Sequence, residues 1–355
     1  MFALESLKDI ASSPDEARAL PAACYRDPEF YAEELERIMR REWHAVARVD
    51  QLALPGDYRA VDLYGEPIVV VRDADQRLRA YSNVCLHRAF PFADGEGNTK
   101  RFVCPYHRWS YDLNGQLCAA PLMENTPGFD RDAQRLPELA LEEWQGFVLV
   151  NLDPSAAPLG PRLTGLSEKL SPFNYADLRT IGVLEYDSPW NWKVMVENFM
   201  ESYHHIGPHV DNLQRSNPAA GTHAEKIDGP CSVIENPAAG DADPLWVGLV
   251  FPDLLFTLSR AEQPFAVWYE MQVDGPAHFL LRIHALASEA LAGVDAFREG
   301  FSTALDGIHQ QDIEVCLGIQ RGIGSRLWRP GRLNAVHEET VWKFHRYLAD
   351  QMLGL

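Results

Sequence analysis

Two short segments constrain this chain more than any other part of its sequence. Cys85-Leu86-His87 and Cys104-Pro105-Tyr106-His107 are separated by sixteen residues. Two thiolates and two imidazoles, brought together by two loops, make a tetrahedral S₂N₂ metal site suited to zinc or to an iron–sulfur centre. The flanking sequence is all-β in character. Between Tyr58 and Pro154 short β-type runs alternate with turn residues. Glu66–Arg72 and Arg77–Val84 flank an Asp73–Gln76 turn, Asn114-Gly115 marks another turn, and Gly146–Leu152 is an apolar strand.

Structural zinc is one reading, but Cys-x-His is tighter than zinc-finger spacing. The alternative is a Rieske-type [2Fe–2S] centre, with two cysteines on one iron and two histidines on the other. Each loop then supplies one of each. Trp109 either packs over such a centre or is an ordinary core tryptophan. From Cys85 to Trp109 the charges are Arg88, Lys100, Arg101 and Arg108 against Asp94 and Glu96, whereas the whole chain carries −19. That basic stretch is either a docking collar for an acidic electron donor or a set of scattered solvated charges.

A second cluster lies in Asn191-Trp192-Lys193 through Glu197-Asn198-Phe199, Glu201, Tyr203-His204-His205 and His209. Two histidines and a carboxylate with open positions form the facial triad of non-haem Fe(II) oxygenases. Spacing does not choose the pair. Glu201, His205 and His209 stand at i, i+4, i+8, and Glu201 and His204 also share a helix face. Trp192–His205 reads as a helix that ends near Ile206, because a residue before Pro208 avoids the helical region. In the long helix read over Ala296–Gly322, Phe297, Phe301, Leu305, Ile308, Val315 and Ile319 form an apolar stripe, and position 312 within it is Asp. A buried carboxylate there needs a metal or a basic partner such as Arg321.

Around these clusters the chain divides in two. Pro28–Trp43 reads as an amphipathic helix, Asp153–Gly165 as a Pro/Gly/Ala-rich linker, Leu245–Leu258 and Phe265–Leu286 as strand-like, and Thr340–Leu353 as a terminal helix. The expected fold class is α+β. The expected domains are an N-terminal helical segment (1–40) packing on the catalytic domain, an all-β [2Fe–2S] domain (41–155) and a catalytic domain (156–355).

Cys85-x-His87-Arg88 with Cys104-Pro-Tyr-His107-x-Trp109, together with Asn-Trp-Lys, Glu-Asn-Phe, Glu201-x-Tyr-His204-x₄-His209 and Gln311-Asp312 … Gln320-Arg321-Gly322, resembles the oxygenase (alpha) subunits of Rieske non-haem iron oxygenases. Ala89 departs from the glycine often found after His-Arg. The likeness is greatest to the choline, carnitine and glycine-betaine branch. It implies a helix-grip catalytic domain, an antiparallel sheet with a long helix. It implies Cys85, His87, Cys104 and His107 as [2Fe–2S] ligands and His204, His209 and Asp312 as ligands of a mononuclear Fe(II). Glu201, more often Asp in the family, would bridge the iron site to a neighbouring subunit's cluster, and His205 would be a second-shell or surface residue. A homotrimer is implied, as is a reductase or ferredoxin carrying electrons from NAD(P)H, since the chain has no flavin or nicotinamide motif.

The expected activity is terminal oxygenation: O₂ and external electrons hydroxylate a small organic substrate, leading to N- or O-demethylation. Aromatic-ring dihydroxylation is the alternative; an electron carrier without a second iron and a zinc-bound module are alternatives of other classes. For a quaternary ammonium substrate Trp246, Phe256, Trp268 and Tyr269 are available as a cage, although strands in such a domain also need them as core. The acidity argues against nucleic acid or an anionic membrane surface as a partner, and no apolar run approaches the roughly 18–20 residues of a membrane span. Six cysteines are too sparse for a disulfide scaffold and the N-terminus shows no secretory pattern, so a reducing cytoplasm is the expected location.

Overall fold

The computed structural model describes residues 7, 8, 10 and 13–355. The remaining N-terminal positions, which belong to the expected 1–40 segment and to the leader reading, lie outside the described residues. The chain is α+β and forms two compact units. One is Arg40–Leu159; the other joins the described residues up to Met39 to Gly160–Leu355.

The Arg40–Leu159 unit is built of short antiparallel strands. β1 (His44–Arg48), β10 (Phe147–Asn151) and β9 (Ala140–Trp144) make one sheet in that order. A second runs β4 (Leu78–Ser82), β3 (Glu66–Arg72), β2 (Asp57–Leu63), β5 (Glu96–Asn98), and a third runs β6 (Phe102–Val103), β7 (Ser110–Tyr111), β8 (Leu117–Ala119). Gly115 supplies the left-handed turn before β8, with φ +83°, where a Cβ would stand 2.8 Å from the Tyr81 ring. Val69, Val71, Tyr81, Phe102, Trp109, Tyr111 and Leu117 pack into one core that includes Cys85 and Cys104.

The other unit is a helix grip. Its seven-stranded antiparallel sheet runs β11 (Arg179–Ser188), β17 (His278–Ala287), β16 (Phe265–Gly275), β15 (Leu254–Ser259), β14 (Leu245–Val250), β13 (Cys231–Asn236), β12 (His223–Ala224). The two strand-like runs of the sequence are therefore each a pair of strands. The long helix spans Asp295–Ile323 and the terminal one Glu339–Leu353.

Two helices end earlier than periodicity suggests. Asp27 caps the first by accepting from the Glu29 amide (2.9 Å), and regular helix runs only over Pro28–Glu34 before a wider π-type turn at Leu35–Met39. Trp43 is outside it. The helix Trp192–Phe199 likewise stops before Glu201, and a separate 3₁₀ turn covers Tyr203–Ile206. The face shared by Glu201, His205 and His209 therefore does not exist. In the long helix Ile319, part of the expected buried stripe, is 40% exposed, whereas Asp312 is 6% exposed.

Candidate metal centres and active-site cavity

The two Cys–His loops are the same turn built twice. The Ala89 amide donates to the Cys85 carbonyl (2.9 Å) and the Arg108 amide to the Cys104 carbonyl (3.0 Å). Each donor is the fourth residue after its cysteine, and each has a left-handed backbone, φ +55° and +60°. A second bond closes each loop, from Cys85 N to Phe90 O (3.0 Å) and from Cys104 N to Trp109 O (2.8 Å). Ala89 thus occupies the conformation that favours glycine, at a cost of about 1–2 kcal/mol.

Both cysteines are buried and form no disulfide, while His87 and His107 are partly exposed. The two imidazole centroids are 4.5 Å apart, and Trp109, itself buried, stacks on His87 at 4.8 Å and 9°. Burial pushes the Cys104 thiol pKa up, and Cys85 beside it adds to the rise. Tyr111 is a contact the sequence did not reveal. Its hydroxyl accepts from the Leu86 amide (3.0 Å) and lies 3.3 Å from Cys85 Sγ, so its proton can point at the sulfur. The His87 Nδ1 is buried with no hydrogen-bond partner, which is costly unless something binds there. An orphaned imidazole nitrogen, a second imidazole against that ring and two neighbouring free buried thiols from the same two loops fit a [2Fe–2S] cluster with mixed Cys/His ligation.

The second site begins at the helix Trp192–Phe199. Asn191 caps it, accepting from Lys193 N (2.9 Å), while its Nδ2 donates to the carbonyls of Tyr25 (3.1 Å) and Pro276 (2.6 Å). Lys193 is buried against Glu34 (2.9 and 3.0 Å), which also accepts from Trp192 Nε1 (3.2 Å). That anchor places the turn that follows. Glu201 Oε2 accepts from the His204 amide (2.9 Å) and its Oε1 is 2.7 Å from His204 Nδ1. His204 Nε2 then lies 3.7 Å from Asp312 Oδ1. Burial opposes charge on His204, but Glu201 and then Asp312 outweigh it and raise its pKa.

His209 is fully buried. Its Nδ1 is 2.6 Å from Gln311 Oε1, which can only accept, and Asn212 Nδ2 fixes that amide at 2.9 Å. The proton of a neutral His209 is therefore on Nδ1. Its Nε2 lone pair faces Asp312 Oδ1 at 3.0 Å. Two acceptors at that distance repel unless a cation or a second proton lies between them. His204, His209 and Asp312 each offer a donor atom within 4.8 Å of the others. The set fits a facial-triad iron, with Glu201 and Gln311 orienting the imidazoles. Arg321 is exposed, so Asp312 faces histidines and not that arginine.

These residues border a cavity of about 360 Å³ between sheet and long helix. Val247, Thr257 and Val267 are directly paired neighbours across β14, β15 and β16, and all face it. Phe301, Leu305 and Ile308 face it from the helix. Of the four aromatics available from sequence, only Tyr269 lines the cavity; Trp246, Phe256 and Trp268 are core. Phe199, Phe265 and Phe301 take their place. His205 is not a surface residue. It is 7% exposed, lines the cavity, and its pKa is pushed down to about 4 by burial and by His204.

Comparison with known proteins finds one family model within each unit. Residues 42–131 match the Rieske [2Fe–2S] domain, and residues 175–242 and 248–354 match the ring-hydroxylating alpha-subunit catalytic domain. The chain is 36% identical over 350 residues to the carnitine monooxygenase oxygenase subunit of Acinetobacter baumannii, covering 93% of this chain and 92% of that protein. It is 27% identical to the chloroplastic choline monooxygenase of Spinacia oleracea, covering 96% of this chain and 79% of that protein. A solved quaternary ammonium Rieske monooxygenase superposes with a TM-score of 0.88 at 25% identity, covering 97% of this chain and 98% of that one. Naphthalene 1,2-dioxygenase from Rhodococcus, at 21% identity and TM-score 0.81, shares the fold.

The chain belongs to the Rieske non-haem iron oxygenases, as an oxygenase alpha subunit. It is the terminal, oxygen-incorporating oxidoreductase of such a system, and its cofactors are a Rieske [2Fe–2S] cluster and a mononuclear iron. Oxygenases of this kind take electrons from reductase or ferredoxin partners and act on small molecules with O₂. Among the described residues no helix is long and apolar enough to cross a membrane.

Proposed function

We propose that the chain hydroxylates an N-methyl carbon of a small organic amine, so that the product breaks down to the demethylated amine and formaldehyde. In this reading Cys85 and Cys104 hold one iron of the cluster and His87 and His107 the other, while His204, His209 and Asp312 hold the mononuclear iron. The observation that carries it is the meeting of three donor atoms on the wall of a largely apolar cavity. The cluster supplies electrons one at a time and the mononuclear iron activates O₂.

The net change takes one O₂, two electrons and two protons. One oxygen atom becomes the hydroxyl on the methyl carbon and the other leaves as water; the C–N bond of the hydroxymethyl amine then breaks. The chain's own part is positioning. Glu201 holds the His204 Nδ1–H and Gln311 that of His209, and the apolar wall seats the substrate and excludes water. The likeness to a carnitine monooxygenase and a choline monooxygenase, named for two N-methylated substrates, supports an N-methyl substrate.

We assign electron transfer to Arg40–Leu159 and catalysis to the other unit, including its N-terminal segment. The working assembly in this reading is a head-to-tail homotrimer in the cytoplasm. There Glu201 links His204 to His107 of the neighbouring subunit, and a reductase or ferredoxin carries electrons from NAD(P)H. Exposed Leu86, Phe90 and Tyr106 near one centre and exposed Tyr203, Ile206 and Val210 near the other support such contacts.

Metal analysis tests the ligand set: about three irons per two sulfides are expected. His204→Ala should lose the mononuclear iron and keep the cluster spectrum, and His205→Ala should keep both. Formaldehyde from an N-methyl substrate supplied with a promiscuous reductase supports demethylation. A cis-diol from an aromatic substrate, with no formaldehyde from any amine, overturns it.

A further inference from the structure

His309 stands on the long helix about one turn before Asp312, and the chemistry above gives it no part. It is fully buried, and neither of its ring nitrogens has a hydrogen-bond partner among the protein's own groups. A buried polar side chain left in that state marks bound water or a function. Burial pushes its pKa down to about 4, so at neutral pH the ring carries one N–H and one bare nitrogen. Tyr186 of β11 packs on this ring at 4.5 Å and 57°, and Tyr269 of β16 meets it edge-on at 5.8 Å and 75°. The Tyr186 hydroxyl donates to Asp306 Oδ1 (2.7 Å), and Asp306 is exposed. Tyr269 lines the iron cavity. Asp306, His309 and Asp312 follow at intervals of three residues, about 4.5 Å of helix rise each. Ser188, two residues from Tyr186 on the same face of β11, is also fully buried with an unpartnered hydroxyl. The seam between β11 and the long helix thus gathers polar atoms that the protein leaves unpaired, between an exposed carboxylate and the cavity.

We propose that Asp306, Tyr186, His309 and Tyr269 form a route by which solvent protons cross the helix–sheet seam to the iron cavity, with water on each His309 nitrogen joining the ring to its two tyrosines. The inference rests on oxygenase chemistry and holds whichever carbon is oxidised. Each turnover takes up two protons and two electrons with one O₂; in a monooxygenation both protons end in the water that leaves. The apolar wall carries no protons, so polar groups must bring them. A proton taken by Asp306 passes to the Tyr186 oxygen as the hydroxyl proton turns inward. His309 accepts on its bare nitrogen and releases the proton of the other toward Tyr269, neutral before and after, and a turn of the ring resets it.

The test pairs a structure with a rate. A crystal structure of the holoenzyme should show ordered water within about 3.2 Å of each His309 nitrogen. Nitrogens without water, at a resolution that shows water elsewhere in the core, overturn the inference. For the rate, holoenzyme with both centres reduced is mixed with O₂ and glycine betaine, choline or L-carnitine, in H₂O and in D₂O, and formaldehyde from the single turnover is followed. His309→Phe keeps a ring and removes both nitrogens. It should slow product formation at least about tenfold and enlarge the solvent isotope effect, at wild-type iron content, sulfide content and melting temperature. Tyr186→Phe should act in the same direction. A merely structural His309 would move the melting temperature or the iron content and leave the isotope effect alone. That result refutes the relay, as does a His309→Phe rate within about twofold of wild type. If His309→Phe fails to fold, His309→Gln takes its place with the same expectations, because it keeps a donor and an acceptor but cannot pass a proton between them. If the wild type releases no formaldehyde from any of the three amines, the demethylation reading falls and the water on His309 decides the relay alone.

Discussion

The buried Lys193–Glu34 pair makes the iron segment depend on the N-terminal helix. Both side chains are 1% exposed and in bidentate contact at 2.9 and 3.0 Å. Rings of Trp192, Phe30 and Tyr25 surround the ammonium at 5.0, 5.6 and 5.9 Å. Replacing Lys193 by Met keeps the apolar stem and removes the charge. Glu34 is then a buried carboxylate whose remaining donor is Trp192 Nε1 (3.2 Å). Removing one partner of a buried pair costs about 3–5 kcal/mol. At roughly 2–4 °C per kcal/mol for a unit of this size, melting should fall by roughly 6–20 °C. Lys193→Met with Glu34→Leu should recover most of that loss, because no unpaired charge remains. Scanning calorimetry on wild type, both single variants and the double closes the cycle, and iron content read alongside reports whether the Glu201–His209 turn has moved. A single Lys193→Met variant within about 1 kcal/mol of wild type, or a double variant as damaged as that single, refutes the reasoning.

Gln311→Leu removes the acceptor that orients His209 and should weaken iron retention about 10–100-fold at unchanged cluster absorbance; Gln311→Glu, which keeps an acceptor, should lose far less. Wild-type iron retention in the leucine variant would rule out that role. Arg88→Glu with Arg108→Glu, both exposed near the cluster, should slow donor-driven reduction about tenfold at low ionic strength and leave dithionite reduction unchanged. A salt-independent rate would refute steering. His278 is held by Asp187 and Asp274 at 2.6 Å each, which raise its pKa. Its contribution to stability is full below its ordinary 6.5 and is lost as pH rises through the raised value, so His278→Ala should flatten the fall in melting temperature over that window.

Much of the chemistry could be read before any coordinates. Cys85, His87, Cys104 and His107 carry their meaning in spacing, because few metal centres take one cysteine and one histidine from each of two loops. The α+β class was legible from the change of hydrophobic period along the chain. Asp312 stood out as a carboxylate among apolar helix positions. What spacing could not give was the backbone between such positions. Periodicity carried the helix past Phe199, where it stops, so the neighbours Glu201, His204 and His205 could not be assigned their directions.

The cavity belongs wholly to tertiary structure. In β16 both faces are apolar, Ala266 and Trp268 on one and Phe265, Val267 and Tyr269 on the other. Alternation says that two sets exist, and only pairing with β15 and β17 decides which set faces the long helix. The His205 environment likewise depends on Asn217, twelve residues away. The supply of donor side chains was local and chemical, so the sequence by itself determined which residues could serve as metal ligands. Which side chains look at the substrate depends on register and on contacts between distant segments, and the folded structure alone settles those.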